Sequence, residues 1–150
     1  MAEVIFYLLE QDKLDNQPAP LALACQLAAQ AFRNKQACLL WCQDQQSAEA
    51  LDELLWQRPS DAFIPHNLCG EGPARGTPVE ISWVGQQSSP RPVLINLAEQ
   101  LPPQHQRARQ IYDFVPVEEQ QKPQARERYK QYRAQGHQLD TRNASSLNES

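Results

Sequence analysis

The sequence predicts an α/β protein: a three-layer sandwich with a mostly parallel sheet of at least five strands and helices on both faces. Two observations point there. Short runs of β-branched and aromatic residues, apolar on both sides, have the length and composition of strands in the middle of a covered sheet. Between them apolar residues recur at helical spacing, and strand, helix, strand, helix in that order is the pattern of right-handed βαβ units.

In chain order, Val4-Ile5-Phe6-Tyr7-Leu8-Leu9 is the first strand. A polar turn closes at Pro18 and Pro20, and Leu21, Ala24, Ala28, Ala31 and Phe32 then mark an amphipathic helix of about 13 residues. Ala37-Cys38-Leu39-Leu40-Trp41-Cys42 is a second buried strand. Ser47 is the expected cap of a helix with Ala48, Leu51 and Leu55 on one stripe, which Pro59 ends soon after Trp56. Further strands are Val79-Glu80-Ile81-Ser82-Trp83, Val93-Leu94-Ile95-Asn96-Leu97 and Ile111-Tyr112-Asp113-Phe114-Val115, each bounded by Pro, Gly or Ser. A last helix occupies about residues 123–135. Residues 98–110, rich in Gln and Pro, receive no element. The folded domain is expected to span 1–139. Residues 140–150 have almost nothing to bury and read as a disordered polar tail.

The chain has 150 residues, 41% of them hydrophobic, and a net charge of −4. That is enough for a core without disulfides or metals, so Cys25, Cys38, Cys42 and Cys69, which lie in apolar blocks, read as reduced thiols. No run approaches the roughly 18 apolar residues of a membrane span. The first residues lack the basic region and cleavage site of a secretion signal, so the expected compartment is the cytoplasm. An acidic total also argues against a surface built as a whole for nucleic acid, leaving at most a local patch.

Residues 70–76, Gly-Glu-Gly-Pro-Ala-Arg-Gly, invite a phosphate-binding reading because glycines let backbone amides approach an anion. A P-loop, however, ends in Gly-Lys-Ser/Thr before a helix, whereas Gly76-Thr77-Pro78 leads into a strand. A dinucleotide fingerprint would need one residue fewer between the last two glycines. A structural turn fits better; the alternative is a small nucleotide-dependent or hydrolytic α/β enzyme using this loop. His66, Cys69 and Glu71 supply neither a nucleophile with its partners nor four zinc ligands. Cys38 and Cys42, roughly 13 Å apart along a strand, cannot share a metal or a bridge. The sequence therefore points to no catalytic residue, no cofactor and no metal.

The last helix is more informative. At 100° per residue from Lys122, Arg126 falls at about 40°, Tyr129 at −20°, Arg133 at 20° and Lys130 at 80°, a cationic face with a tyrosine in it. Ala125 and Tyr132 mark the core-facing edge, with Glu127 and Arg128 directed away. Residues 120–135 hold five basic groups and one acidic, +4, against −8 for the remainder. A solvated face complementing the helix dipole is one reading. A docking site for a short acidic peptide with an apolar end is the other, since Arg pairs a carboxylate while Tyr packs against a side chain. Trp56 lies off the buried stripe of its helix. With Phe63 and Ile64 it forms either a protein-docking surface or part of the core.

Phe6-Tyr7-Leu8-Leu9, Asp52-Glu53-Leu54-Leu55-Trp56 with Arg58-Pro59, Phe63-Ile64-Pro65-His66-Asn67-Leu68 leading to Gly70-Glu71-Gly72-Pro73, Pro78-Val79-Glu80-Ile81, Asp113-Phe114-Val115-Pro116, and Ala125-Arg126-Glu127-Arg128-Tyr129-Lys130 with Tyr132-Arg133 closely resemble the chi subunit family of bacterial DNA polymerase III. The resemblance runs from about residue 4 to 139. It implies a Rossmann-like fold that has lost any nucleotide site, and a non-enzymatic adaptor of the clamp loader complex in DNA replication. Two partners are implied: the psi subunit, and the acidic C-terminal tail of single-stranded DNA-binding protein, which ends in Pro-Phe. The family's tail-binding residues map to Lys122, Arg126, Tyr129, Lys130 and Val115, with Arg133 on the same helix face. The psi surface maps to Trp56, Phe63, Ile64 and Pro65, for which a repair helicase competes in some members. Pro123 belongs in a first helical turn, which puts Lys122 at the cap.

Overall fold

The computed structural model describes residues 1–14, 16–57, 64–72 and 76–149. In chain order the elements are β1 (Glu3–Leu8), β2 (Lys13–Leu14), β3 (Gln17–Pro18), α1 (Ala19–Arg33), β4 (Cys38–Cys42), α2 (Gln45–Gln57), β5 (His66–Leu68), β6 (Val79–Trp83), β7 (Val93–Asn96), β8 (Gln110–Val115), α3 (Lys122–Ala134) and β9 (Gln138–Asn143). Short 3-10 turns occupy Pro103–Arg107 and Ala144–Glu149.

Alternation along the strands builds two cores. In β1, Ile5 and Tyr7 join a cluster with Leu40 of β4 and the buried faces of α1 and α2. Val4 and Phe6 join another across the sheet, with Leu39, Trp41, Leu94, Ile111 and Tyr132 of α3. Central strands thus need apolar residues on both sides, which is why they read as unbroken apolar blocks. The main sheet runs β5-β6-β4-β7-β8-β1-β9, seven strands with every pairing parallel, and helices lie on both faces as the sequence predicts. β2 and β3 form a separate antiparallel ladder leading into α1.

Two readings need correction. Helix α2 is capped by Asp44, not Ser47: the Asp44 Oδ1 accepts the Ser47 N–H at 2.8 Å, so the helix starts earlier. The stretch from residue 140, read as a disordered tail, instead continues β9, in register with β1 from Glu3↔Gln138 to Leu8↔Asn143. Gly136, at φ +88°, supplies the left-handed step that ends α3 and returns the chain to the sheet. The following 3-10 turn packs Leu147 against the α1-side core, and the Gln26 amide donates to the Leu147 carbonyl at 3.1 Å. Composition concealed β9 because an edge strand is held by backbone hydrogen bonds and, apart from half-buried Leu139, its side chains are exposed.

Candidate functional site

Helix α3 lies over the C-terminal ends of β8, β1 and β9, and between them opens a cleft of about 270 Å³. Phe6, Leu8 and Val115 form its floor, Thr141 of β9 one side, and Ala125, Arg126, Tyr129 and Lys130 the helix wall. The lining is almost wholly carbon, while the exposed side chains of Arg126 and Lys130 bring positive charge to it. Tyr129 is fixed by aromatic contact: its ring centroid is 5.4 Å from that of Phe6, which also meets Tyr132 edge-on at 5.8 Å.

The cleft therefore gathers Val115, Arg126, Tyr129 and Lys130. It does not include Lys122 or Arg133. Lys122 is the first residue of α3, and its ammonium sits 2.9 Å from Glu119 Oε1; that hydrogen bond holds the Glu119 carboxyl below its ordinary pKa. Arg133 shares the angular face but stands seven residues beyond Arg126, about 10 Å along the axis. The sequence reading missed Phe6, Leu8 and Thr141 as cleft residues. Leu8, the last residue of β1, is 36% exposed and lies on the cleft floor.

Arg128 is a further correction. It is buried at 6% exposure rather than directed into solvent. On the helical wheel it stands at about −120°, within 40° of Tyr132, so the core-facing edge is wider than the two apolar residues suggest. Its Nε and Nη2 donate to Asp113 Oδ1 at 3.2 and 3.0 Å, Nη1 to the Glu99 carbonyl and Nη2 to the Phe114 carbonyl. Asn96 Nδ2 and the Tyr132 hydroxyl both donate to Asp113 Oδ2 at 3.0 Å. Burial, with Asp113 beside it, pushes the Tyr132 phenol well above its ordinary pKa. This network lines a pocket of about 200 Å³ at the carboxyl ends of β7 and β8, where open α/β sheets commonly hold ligands, and its polar groups are already engaged with one another. The start of α1 offers little to a phosphate: Pro20 has no N–H, and the Ala19 N–H already donates to the Asp12 carbonyl.

The second predicted surface is only partly assembled. Trp56, on α2, is 57% exposed, with its ring centroid 4.7 Å from that of buried His66. Both His66 nitrogens meet oxygens: Nδ1 the Ile64 carbonyl at 2.7 Å, Nε2 the carbonyl and carboxylate of Asp52, each at 3.3 Å. Ile64 is 1% exposed and belongs to the α2-side core, which rules it out as a surface residue; Pro65 is half-buried. Phe63 lies outside the described residues, as do 73–75 of the glycine loop. In the described part of that loop Gly72 sits so close to the Asn67 amide that a Cβ would overlap it. Asn67 also hydrogen-bonds the Thr77 hydroxyl and the Leu68 carbonyl, the wiring of a structural turn. Among the described residues no group of three or more His, Cys, Asp or Glu could hold a metal, and no helix is long and apolar enough to cross a membrane.

Comparison with known proteins adds a decisive observation. The family model of the DNA polymerase III chi subunit, HolC, matches residues 1–140. The chain belongs to this chi subunit family. It is 43% identical over 143 residues to the DNA polymerase III subunit chi of Escherichia coli K12, covering 94% of this chain and 97% of that one. The chi subunit of Haemophilus influenzae is 46% identical over 122 residues, 81% of this chain and 85% of its own. That of Pseudomonas aeruginosa is 31% identical over 139 residues, 93% and 94% of the two chains. The crystal structure of T4 UvsW shares the fold alone, with a TM-score of 0.60 at 10% identity, over 95% of the chi-family chain and 41% of UvsW.

Proposed function

We propose that this chi-family chain is a non-catalytic adaptor of the clamp loader complex. The α3 cleft receives the acidic C-terminal tail of single-stranded DNA-binding protein, and the Trp56 surface docks the psi subunit, with a repair helicase as a competitor there. One observation carries the reading: an apolar cleft bounded by Arg126 and Lys130 in a protein of net negative charge. At about 270 Å³ it falls below the 300–1,000 Å³ usual for small-molecule sites, and suits one large side chain.

The chemistry is binding alone. Acidic residues of the peptide are steered to the cations, its terminal carboxylate pairs with Arg126, and its last side chain enters the cleft beside Tyr129. Tethering the clamp loader to coated template in this way raises local concentration without a reaction. Both partners belong to a cytoplasmic setting.

Fluorescence anisotropy of a labelled acidic peptide ending in Pro-Phe tests this, with wild type, Arg126→Ala and a bare oligonucleotide as arms. Saturable, salt-weakened peptide binding that Arg126→Ala reduces by about 1–3 kcal/mol is expected. Absence of peptide binding by folded wild type overturns the tail site. Oligonucleotide binding of equal strength would make the α3 face a nucleic-acid surface instead.

A further inference from the structure

The cleft described above is completed by the last strand of the chain. Register places Thr141 directly opposite Phe6, and Phe6 opposite Asp113; one step on, Leu8 lies between Val115 and Asn143. Because successive side chains alternate, Leu139, Thr141 and Asn143 belong to the α3 side of β9, and Asp140 and Arg142 to the other. There Arg142 Nε donates to Asp140 Oδ2 at 2.9 Å, so these charges are engaged with each other on the face away from the cleft. Thr141 is thus the side chain through which β9 borders the cleft, and Leu8 is the exposed apolar floor beside it.

We infer that Thr141 is a specificity-determining residue: with Leu8 and Val115 it sets the size of the apolar side chain that the cleft admits. The inference rests on the peptide-binding reading and deepens it. Phe6 and Ala125 are fixed by the core, each 1% exposed, and Tyr129 by its contact with Phe6, so three sides of the cleft cannot easily yield. Thr141 is exposed on an edge strand, where a change of volume alters the cleft and leaves both cores intact. A β-branched residue of this size narrows the cleft on the β9 side, and its methyl group presents carbon to the ligand.

The test uses the full chain and acidic peptides identical except for a terminal Phe, Trp or Ala, measured against wild type, Thr141→Ala, Thr141→Val and Thr141→Phe. Circular dichroism and thermal unfolding verify that each variant is folded. Thr141→Phe should weaken the Phe-ended peptide at least tenfold while leaving the weak Ala-ended peptide within a factor of two. Thr141→Ala should shift the preference from Phe toward Trp, and Thr141→Val, of equal shape, should bind as wild type does. Unchanged preference across all variants, with wild type still binding, overturns the assignment and leaves the peptide site standing. A loss with Thr141→Val as large as with Thr141→Phe would make the hydroxyl the determinant and overturn the size argument. Failure of wild type to bind any peptide overturns the reading on which the inference rests.

Discussion

Arg128 on α3 and Asp113 on β8 form a buried ion pair two residues from Val115 and next to Tyr129, so the same contact that closes the core also holds the helix wall over the cleft floor. Removing one partner leaves the other charge buried without its counterion. Arg128→Ala should therefore destabilise the fold by about 3–5 kcal/mol, and Arg128→Lys should also cost stability because an ammonium cannot reproduce the fork of hydrogen bonds. Urea unfolding measures both. Peptide affinity should fall with Arg128→Ala, whereas Arg126→Ala should weaken the peptide and leave the unfolding midpoint in place.

The cations of α3 should not act alike. Arg126 borders the cleft, Lys122 is engaged by Glu119, and Arg133 is displaced along the helix. Peptide titrations should show Lys122→Ala and Arg133→Ala changing affinity by less than about 0.5 kcal/mol, the scale of exposed charge contacts. An effect at Lys122 equal to that at Arg126 would mean that the peptide extends past the start of the helix.

Much of this was legible beforehand, for identifiable reasons. The central strands β1, β4, β6, β7 and β8 need apolar side chains, and β-branched and aromatic runs announce that without a structure. β9 and β5 escaped because edge strands are defined by what pairs with them: Gln138, Asp140 and Asn143 have no reason to be a strand until β1 lies beside them. On α3 the angular pattern groups Lys122, Arg126, Tyr129, Lys130 and Arg133 on one face, but an angle carries no axial position, so it does not separate the three that line the cleft from the two that do not. Arg128 reads as solvent-facing because Ala125 and Tyr132 alone define too narrow a core edge, and its partner lies fifteen residues earlier on another element. Leu8 and Thr141 depend on which strands become neighbours, information that periodicity does not hold.

His137 and His105 make stability depend on pH. His137 Nδ1 accepts the Ala2 N–H at 2.9 Å, which leaves its proton on Nε2 to donate to His105 Nδ1, also at 2.9 Å. Burial lowers both pKa values, and for His137 the neighbouring His105 and the N-terminal ammonium lower it further; the Tyr132 ring packs edge-on against both. The unfolded chain then binds protons more readily than the folded one below the ordinary value of 6.5. Stability is full above that value and declines as pH falls from it toward the depressed folded values. Unfolding free energies from about pH 5 to about 7 should rise for wild type, and less steeply for His105→Gln/His137→Gln.

Thiol reactivity offers a check on the core. Cys25, Cys38 and Cys42 are buried, and burial pushes the thiols of Cys38 and Cys42 up to about 12. Cys69 is half-buried, between the Gln87 carbonyl and the Ser88 hydroxyl. A thiolate is the reactive form, so a disulfide reagent at mildly alkaline pH should modify Cys69 first. The other three should react only on unfolding. Mass spectrometry of the modified native chain reads this directly.

Trp56 separates the two proposed surfaces. It stands on α2, beside β5 at one edge of the sheet, while the cleft borders β9 at the other, about 25–30 Å away by the spacing of paired strands. A change at one surface should therefore leave the other undisturbed, which an adaptor holding two partners at once requires. Exposed aromatic side chains are frequent anchors of protein interfaces, and Trp56→Ala should weaken capture of the psi subunit by about 2 kcal/mol or more. The tail peptide should bind the variant as it binds wild type. Isothermal titration with psi, and then with the peptide on the psi-bound chain, gives both readings. If Trp56→Ala leaves psi binding intact, the psi surface lies elsewhere. If bound psi blocks the peptide, the two partners compete and the chain cannot bridge them.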